Sequence, residues 1–378
     1  MHLISSRSAL LPWFLIPSLA AAALPVGVIE IPLQRIKNQS AYGVEIMLGN
    51  PPQKVITSAD TGSPTYGFES PINTVCQQGL CSAYGTYNNL TSSTAEWLSG
   101  DYSNFLIDHG FGSFMNDTLR IGGVTLENMN FGVVEKNYAS FPITGQQTAI
   151  FGLGAMCSTK ACDTYPTVLQ QLYEHGAISR RAFSVYLGPN NQNATGTILI
   201  GGIDRAKRQG PVFKRKVWDP TNPQANMQPN FINIIGMELQ LSNGVNTPYT
   251  YPNETYALMD TGTPGWYMPQ KMYGLVAQYF GIQNPNPNND LVVDCKYRTP
   301  TKDSLAVDFG DGAKIAVPLH RIVTQLENGN CIVPIAPYGQ LLGDPFLRGL
   351  YFTFDYDELT VEFAAVKYTD DCDIVKIE

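Results

Sequence analysis

The sequence predicts an all-β, or mainly β, protein built from two related lobes. Short runs rich in β-branched and aromatic residues are separated by Gly, Pro and Asn clusters, which is typical of strands joined by turns. Examples of such runs are 197–200, 231–241 and 350–363. Two stretches favour helix instead, 167–175 and 269–280. An internal repeat indicates that the two halves of the chain are related lobes.

The repeat consists of an Asp-Thr-Gly turn followed, much later in each half, by an apolar-apolar-Gly segment. Asp60 opens the first turn, with the sequence DTGSP, and Asp260 opens the second, with DTGTP. The downstream segments are AIFGLG at 149–154 and LLGD at 341–344. One such turn arises by chance about once in a hundred chains of this length at ordinary residue frequencies. Two turns with matching downstream segments therefore indicate duplication.

Duplicated lobes can bring Asp60 and Asp260 together across a pseudo-two-fold axis. Two carboxyl groups in contact cannot both ionise cheaply, so the pair shares one proton, as in the aspartic protease dyad. Such a pair can hold a water, remove a proton from it and donate a proton to a carbonyl oxygen. A single Asp-Thr-Gly is also good chemistry for an Asx-turn. The repeat favours the catalytic interpretation over two independent turns.

The residues after each Asp are suited to support such a pair. Glycine permits a tight turn and close backbone approach. The threonine hydroxyls can lock the two turns together, and the next hydroxyl can hydrogen-bond an outer carboxylate oxygen. The supporting positions are Thr61, Gly62 and Ser63 in the first turn and Thr261, Gly262 and Thr263 in the second.

Composition excludes several function classes. The chain has 378 residues, is 44% apolar and 15% charged, and carries a net charge of -8 with a pI of about 5.1. Nucleic-acid binding requires a basic surface, so we expect no nucleic-acid partner. The four His residues and the cysteine spacings do not form a recognisable metal motif, so we expect no metal and no cofactor.

The N-terminus, residues 1–23, predicts a signal peptide. Arg7 precedes an apolar stretch at 9–19, and a run of small Ala residues follows. A membrane anchor is the alternative, but the stretch is shorter than about 18 residues and is interrupted by Pro12 and Pro17. The C-terminus has no apolar tail, so we expect no membrane anchor there either.

Seven cysteines indicate disulfides in an oxidising compartment. Cys76 with Cys81, and Cys157 with Cys162, could each close a small loop. Cys295 and Cys331 are the next plausible pair, although spacing alone does not fix the connectivity. Cys372 is left over. Five N-glycosylation sequons also occur, at Asn38, Asn89, Asn116, Asn193 and Asn253.

From about Tyr42 to Ala365 the sequence resembles the pepsin-like (A1) aspartic endopeptidases, particularly the fungal secreted or vacuolar members. The matching segments are YGVEIMLGNPPQ at 42–53, both Asp-Thr-Gly turns, the Cys76/Cys81 loop, AFSVYL at 182–187, GTILIGGID at 196–204 and LGDPFLR at 342–348. The resemblance implies a bilobal fold with a central cleft and peptide-bond hydrolysis without a metal. It assigns the catalytic roles to Asp60 and Asp260.

Two departures from the family pattern concern the hairpin that closes over the cleft. The family usually has Tyr-Gly near the tip of this flap, whereas His109 and Gly110 occupy the matching positions here. The flap also looks several residues shorter. The Trp that usually partners the flap Tyr is absent, and Gly67 takes its place. Because a lid excludes water and orders the substrate, a short flap predicts altered peptide selection.

We therefore predict a secreted or vacuolar, monomeric aspartic endopeptidase that acts on peptides or proteins at acidic pH. The N-terminal lobe is expected at 24–210 and the C-terminal lobe at 211–378. The segment 28–37 could begin a prosegment or form a first mature strand, and we favour the strand. One alternative is a weak or inactive pepsin-fold binding protein. Another is a specialised peptide-processing protease with an atypical flap.

Overall fold

The computed structural model describes most of the chain after the predicted signal peptide. The described ranges are 23–36, 41–104, 110–137, 149–154, 166–191, 195–217 and 230–378. The predicted signal peptide lies almost entirely outside them.

Twelve described strands belong to the first part of the chain. They are β1 Ile29–Arg35, β2 Tyr42–Leu48, β3 Gln53–Asp60, β4 Tyr66–Glu69, β5 Glu96–Asn104, β6 Gly110–Ile121, β7 Val124–Asn137, β8 Ala149–Gly152, β9 Ala182–Tyr186, β10 Gly196–Ile200, β11 Gly202–Asp204 and β12 Arg208–Lys216.

The remaining described strands follow residue 230, and five short α-helices occur within the described ranges. The strands are β13 Phe231–Gln240, β14 Asn246–Met259, β15 Trp266–Tyr267, β16 Leu291–Val293, β17 Ser304–Asp308, β18 Lys314–Pro318, β19 Thr324–Gln325, β20 Cys331–Val333, β21 Ile335–Ala336, β22 Leu341–Leu342, β23 Leu350–Asp355, β24 Thr360–Val366 and β25 Ile374–Lys376. The helices are α1 Thr74–Gln77, α2 Val168–Glu174, α3 Gln270–Tyr279, α4 Leu319–Ile322 and α5 Asp344–Leu347.

The mainly β prediction is confirmed, and both predicted helices are present as α2 and α3. The Thr167 side chain accepts a hydrogen bond from the backbone N–H of Gln170, which satisfies a free donor at the start of α2. Pro269 precedes α3, where a missing N–H costs nothing. The segment 28–37 contains β1, as the strand interpretation predicts.

The run 350–363 differs from a single strand, because it folds into the antiparallel pair β23 and β24. Four residues, Tyr356 to Leu359, form the turn between them. The Asp355 side chain accepts hydrogen bonds from the N–H groups of Asp357 and Glu358, which closes this turn. Leu359 has a positive φ of 52°. The sequence predicts one strand over this run because β-branched and aromatic residues occur on both sides of the turn.

Two large sheets contain most of the described strands. A 13-stranded sheet has the order β12-β24-β23-β9-β10-β1-β2-β3-β8-β4-β7-β6-β5, and a 7-stranded sheet has the order β18-β17-β13-β14-β22-β15-β21. Strands β12, β23 and β24 therefore extend the sheet that the first half of the chain builds. The proposed lobe boundary at 210/211 falls within β12 and stays a prediction.

The repeat found in the sequence corresponds to a repeated strand arrangement. Strand β3, which ends at the first turn, pairs in parallel with β8, and β8 pairs antiparallel with β4. Strand β14, which precedes the second turn, pairs in parallel with β22, and β22 pairs antiparallel with β15. Each downstream apolar-apolar-Gly segment is therefore the strand that fixes its Asp-Thr-Gly turn from behind.

The glycines in these downstream segments are required by close backbone approach. A Cβ on Gly152 would lie 2.1 Å from the Thr65 carbonyl oxygen, and one on Gly343 would lie 2.1 Å from that of Gly265. Backbone atoms cannot move aside as the end of a flexible side chain can. Only glycine therefore lets each turn pack this closely against its supporting strand.

Two disulfides are formed within the described residues, Cys76–Cys81 and Cys295–Cys331. The sulfur of Cys372 is a free, exposed thiol. Cys157 and Cys162 lie outside the described residues, so their predicted pairing stays a prediction.

The Cys295–Cys331 disulfide joins residues 36 apart in sequence, so its removal should release a long loop in the unfolded chain. Replacing both cysteines by Ala should lower the free energy of unfolding by about 2–5 kcal/mol. Urea unfolding monitored by fluorescence measures this loss. Cys372→Ala is the matched control and should leave stability unchanged, since its thiol is exposed and unbridged. Equal midpoints for all three proteins would contradict the prediction.

Candidate active site

The two Asp-Thr-Gly turns meet in the interior of the molecule. Strand β3 ends at Asp60, and β14 ends one residue before Asp260. Only 7% of Asp60 and 8% of Asp260 is exposed. Burial of carboxyl groups is costly unless they are hydrogen-bonded or shared, so this placement indicates a functional constraint.

Each carboxyl group is fixed by its own turn. The N–H of Gly62 donates to Asp60 Oδ1 at 2.7 Å, and the N–H of Gly262 donates to Asp260 Oδ1 at 2.7 Å. The Thr263 hydroxyl donates to Asp260 Oδ2 at 2.5 Å. These bonds orient the carboxyl planes and leave little rotational freedom about the side chains.

Each carboxyl group also lies against the glycine of the other turn. A Cβ on Gly62 would be 2.4 Å from Asp260 Cγ, and a Cβ on Gly262 would be 2.8 Å from Asp60 Cγ. Any larger residue at either position would push the opposite carboxyl away. The glycines therefore allow the two carboxyl groups to approach each other.

Reciprocal hydrogen bonds between two threonines hold the turns together. The N–H of Thr61 donates to Thr261 Oγ1, and the N–H of Thr261 donates to Thr61 Oγ1, both at 3.1 Å. The Thr61 hydroxyl donates to the Met259 carbonyl at 2.9 Å, and the Thr261 hydroxyl donates to the Ala59 carbonyl at 2.8 Å. Both threonines are buried, so water does not compete for these bonds.

Burial raises the pKa of the Asp60 carboxyl well above its usual range, and the neighbouring Asp260 carboxyl raises it further. The N–H of Gly62 and the hydroxyl of Ser63 act in the opposite direction, because they stabilise the charged form. The net effect keeps one proton on the pair at pH values where an ordinary Asp is ionised. One proton shared by two carboxyl groups suits combined acid and base chemistry.

Asn230 and Tyr356 support the first turn, and no sequence pattern indicated either residue. The Asn230 amide donates to the Thr61 carbonyl, and its own carbonyl oxygen accepts from the Tyr356 hydroxyl at 2.7 Å. The Tyr356 hydroxyl also lies 2.7 Å from the Leu153 carbonyl. Asn230 is fully buried. These residues come together only in the folded chain.

Asp344 opens α5 behind the second turn, and Arg348 directly follows the last residue of this helix. The N–H of Asp344 donates to the Thr263 carbonyl at 3.1 Å, and both side chains are buried. Burial raises the pKa of the Asp344 carboxyl well above its usual range, while Arg348 and Arg35 lower it. The Asp260 carboxyl raises it slightly more. The family resemblance described above includes this segment, but it assigns no role to Asp344 or Arg348.

The predicted flap corresponds to the hairpin of β5 and β6. Its pairing extends to Asn104 opposite Gly110, and Gly110 also pairs with Asn137 of β7. Gly110 is buried at the start of β6. His109 lies outside the described residues, so its role and the shortening of the tip stay predictions.

The space left by the missing Trp is filled by Tyr102 from β5. A Cβ on Gly67 would be 2.1 Å from the Tyr102 hydroxyl oxygen, and one on Gly132 would be 2.0 Å from its ring. Tyr102 is 1% exposed and packs edge-on against Phe114 at 5.3 Å between ring centroids. A flap-strand Tyr lying over Gly67 therefore occupies the place where the family pattern has a Trp.

A cavity of about 640 Å³ adjoins the second turn. Its wall includes Gly262 and Pro264 of the turn, Tyr267 of β15, and the loop 287–290. Ser58 and Ala41 from the other lobe also line it. The cavity thus opens between the two halves beside the carboxyl pair, as a substrate cleft should.

One cluster of metal-binding residue types occurs within the described ranges, Glu69 with Cys76 and Cys81. The two cysteines are joined to each other in a disulfide, so they offer no thiolate to a metal. The cluster is therefore structural.

The described sequons differ in accessibility. Asn253 is exposed on β14, whereas Asn89 and Asn116 are half-buried, with Asn116 in the interior strand β6. Asn38 and Asn193 lie outside the described residues. Asn253 is the position best placed to carry a glycan, and glycosylation stays a prediction at all five.

The contact between Gly67 and Tyr102 predicts a stability effect. Gly67→Ala should lower the free energy of unfolding by about 1–3 kcal/mol, because the added methyl overlaps the Tyr102 hydroxyl. Gly100→Ala on β5 is the matched control, since the nearest atom would be 4.0 Å from its Cβ. Urea unfolding measures both variants. The cost of Gly67→Ala should shrink in a Tyr102→Ala background. An undiminished cost would contradict the packing.

Comparison with known proteins agrees with the geometry of the site. The sequence model of the eukaryotic aspartyl protease family matches residues 41–366. The chain is 28% identical over 363 residues to candidapepsin of Candida tropicalis, covering 91% of this chain and 84% of that protein. It is 27% identical over 351 residues to aspartic proteinase yapsin-3 of Saccharomyces cerevisiae, covering 87% and 67% respectively.

A third relative, the acid protease of Saccharomycopsis fibuligera, is 29% identical over 346 residues, covering 87% of this chain and 82% of that protein. The family match covers both Asp-Thr-Gly turns and most of the described strands, and it confirms the predicted pepsin-like bilobal fold class. The chain therefore belongs to the eukaryotic aspartyl protease family.

Proposed function

We propose that Asp60 and Asp260 hydrolyse peptide bonds with a water molecule activated between their carboxyl groups. The enzyme is an aspartic endopeptidase, a hydrolase that acts on peptide substrates. The observation that carries the assignment to these two residues is their approach across the interlocked turns, each carboxyl lying over the glycine of the other turn.

The reaction needs one ionised and one protonated carboxyl group. The ionised group takes a proton from the water, whose oxygen attacks the carbonyl carbon of the scissile bond. The protonated group donates to the carbonyl oxygen, giving a neutral tetrahedral intermediate. As this intermediate collapses, the C–N bond breaks and the protonated carboxyl group gives its proton to the leaving nitrogen. The other carboxylate takes a proton from a hydroxyl of the intermediate, which becomes the new carboxyl product. The pair ends with one shared proton, as it began.

The geometry supports each requirement. The Gly62 and Gly262 N–H groups and the Thr263 hydroxyl fix the carboxyl planes before substrate arrives. Preorganised groups of this kind cost no reorganisation during the reaction. The raised pKa of Asp60 keeps the acid form available in mildly acidic solution.

We place the enzyme outside the cytosol. Relatives are named candidapepsins, secreted aspartic proteases and a yapsin, which indicates secretion, the cell surface or the vacuole. The predicted signal peptide supports secretion, and we propose that the mature enzyme is a monomer. Within the described ranges, no helix is both long and apolar enough to cross a bilayer.

Replacing either catalytic Asp should abolish peptide cleavage. Asp60→Asn and Asp260→Asn should each lower kcat by at least about 1,000-fold, because neither amide can transfer a proton as a carboxyl does. The assay is cleavage of a denatured protein near pH 4. A statine-type inhibitor should block the same cleavage by the wild-type enzyme. Asp311→Asn, an exposed turn residue, is the matched control. Undiminished cleavage by either catalytic variant would refute the assignment of the reaction to these two carboxyl groups. A wild type that cleaves nothing would instead leave a pepsin-fold binding protein as the alternative.

The raised pKa of Asp60 also predicts how stability depends on pH. A carboxyl whose pKa is higher in the folded state favours folding at low pH, and this contribution is lost as pH rises through that pKa. The contribution of Asp60 to the wild-type melting temperature should therefore fall as pH rises above about 4, the ordinary pKa of an Asp carboxyl. Asp60→Asn should flatten this fall, by about 1.4 kcal/mol for each unit of pKa difference removed. Parallel profiles for the two proteins would show that the pKa is not raised.

A further inference from the structure

The cleft wall on the side of the second turn contains an acidic residue that the catalytic account does not use. The 640 Å³ cavity is lined there by the loop 287–290, which ends in Asp290, and by Tyr267. The cavity is also lined by Ile335 and Ala336 of β21, the strand beside β15, and by Tyr338. The cavity therefore combines an apolar wall with one carboxyl group.

Asp290 has no cationic partner among the described residues. It makes no ion pair there, and burial is the one cause of its raised pKa. The residue is exposed to solvent, although the protein atoms around its carboxyl group displace some of its water and so raise its pKa. The neighbouring charges along the chain, Asp294 and Lys296, pair with each other at 3.5 Å instead.

The Tyr267 hydroxyl is influenced both by Asp290 and by Asp260 of the catalytic pair. Burial raises the pKa of the Tyr267 hydroxyl, and the carboxyl groups of Asp260 and Asp290 both raise it further. One phenol thus lies near both carboxyl groups. The Tyr267 ring also packs edge-on against Tyr338, whose hydroxyl donates to the Asn288 side chain. Asp290 therefore lines the same cavity as Gly262 of the second catalytic turn.

A partly desolvated carboxylate in a substrate cleft is stabilised when the substrate brings a positive charge to it. Lys and Arg can lay their methylene stems along Ile335 and Ala336 while the charged end reaches the carboxylate. The ring of Tyr338, 51% exposed, can add a cation–π contact. An apolar side chain of the same length would gain only the packing against Ile335 and Ala336.

We propose that Asp290 recognises a Lys or Arg side chain of the peptide substrate, in a subsite beside the catalytic pair. This inference rests on the proposed function, since it assigns a role within the same cleft. The apolar wall still favours a long aliphatic stem, so small or acidic side chains are disfavoured there.

The test compares peptides that differ only by Lys or norleucine at one position, with that position moved stepwise along a constant sequence. Kinetics are measured at about pH 6, roughly two units above the ordinary pKa of an Asp carboxyl, because recognition requires the ionised form of Asp290. At one position the wild type should prefer Lys. Asp290→Asn should lower this Lys-to-norleucine ratio of kcat/KM by about fivefold, the upper end for a partly exposed ion pair. Asp290→Lys should lower it further.

Asp294→Asn is the matched control, because it makes the same chemical change four residues away and outside the cavity lining. The Lys-to-norleucine ratio of kcat/KM for Asp294→Asn should equal that of the wild type. The inference is overturned if no position shows a preference for Lys, or if the preference survives Asp290→Asn. Failure of the wild type to cleave the norleucine peptides, or any denatured protein, would instead overturn the proposed function and the inference with it.

Discussion

Reciprocal hydrogen bonds between Thr61 and Thr261 determine whether this molecule has an active site. They join residues 200 positions apart, and each hydroxyl also bonds to the strand that leads into the other turn. Neither half of the chain can position its carboxyl group alone, since each Asp lies over the glycine of the opposite turn. The catalytic pair is therefore formed only when both halves have folded and docked. Burial of these bonds makes the loss of one partner costly, which favours a single arrangement.

The same docking produces the electrostatics of the cleft. Asp60, Asp260 and Asp344 are all buried close to the docked turns, and protein replaces the water that would otherwise stabilise their charges. Like-charged carboxyl groups then compete for ionisation, which holds a proton at the centre. Arg348 and Arg35 moderate this effect on Asp344 from behind. Asp290, at the cleft wall, has no such cation among the described residues.

Sequence reasoning could predict what repeats or depends on local pattern. The two Asp-Thr-Gly turns, their supporting strands β8 and β22, and the helix cap at Thr167 all have local signals. Asn230 and Tyr102 have none, because their roles depend on contacts with residues far away in sequence, Thr61 and Gly67. The absence of a Trp at position 67 was visible in the sequence. The compensating ring was not, since any of several aromatic residues could have filled that space.

The most direct test of this account is a neutron crystal structure of the enzyme at about pH 4.5. The account predicts that the carboxyl groups of Asp60 and Asp260 lie within hydrogen-bonding reach of one solvent molecule and carry a single deuteron between them. The threonine hydroxyls should donate across to the Met259 and Ala59 carbonyls. Carboxyl groups that are separated, or that each carry a deuteron or none, would contradict the shared-proton mechanism.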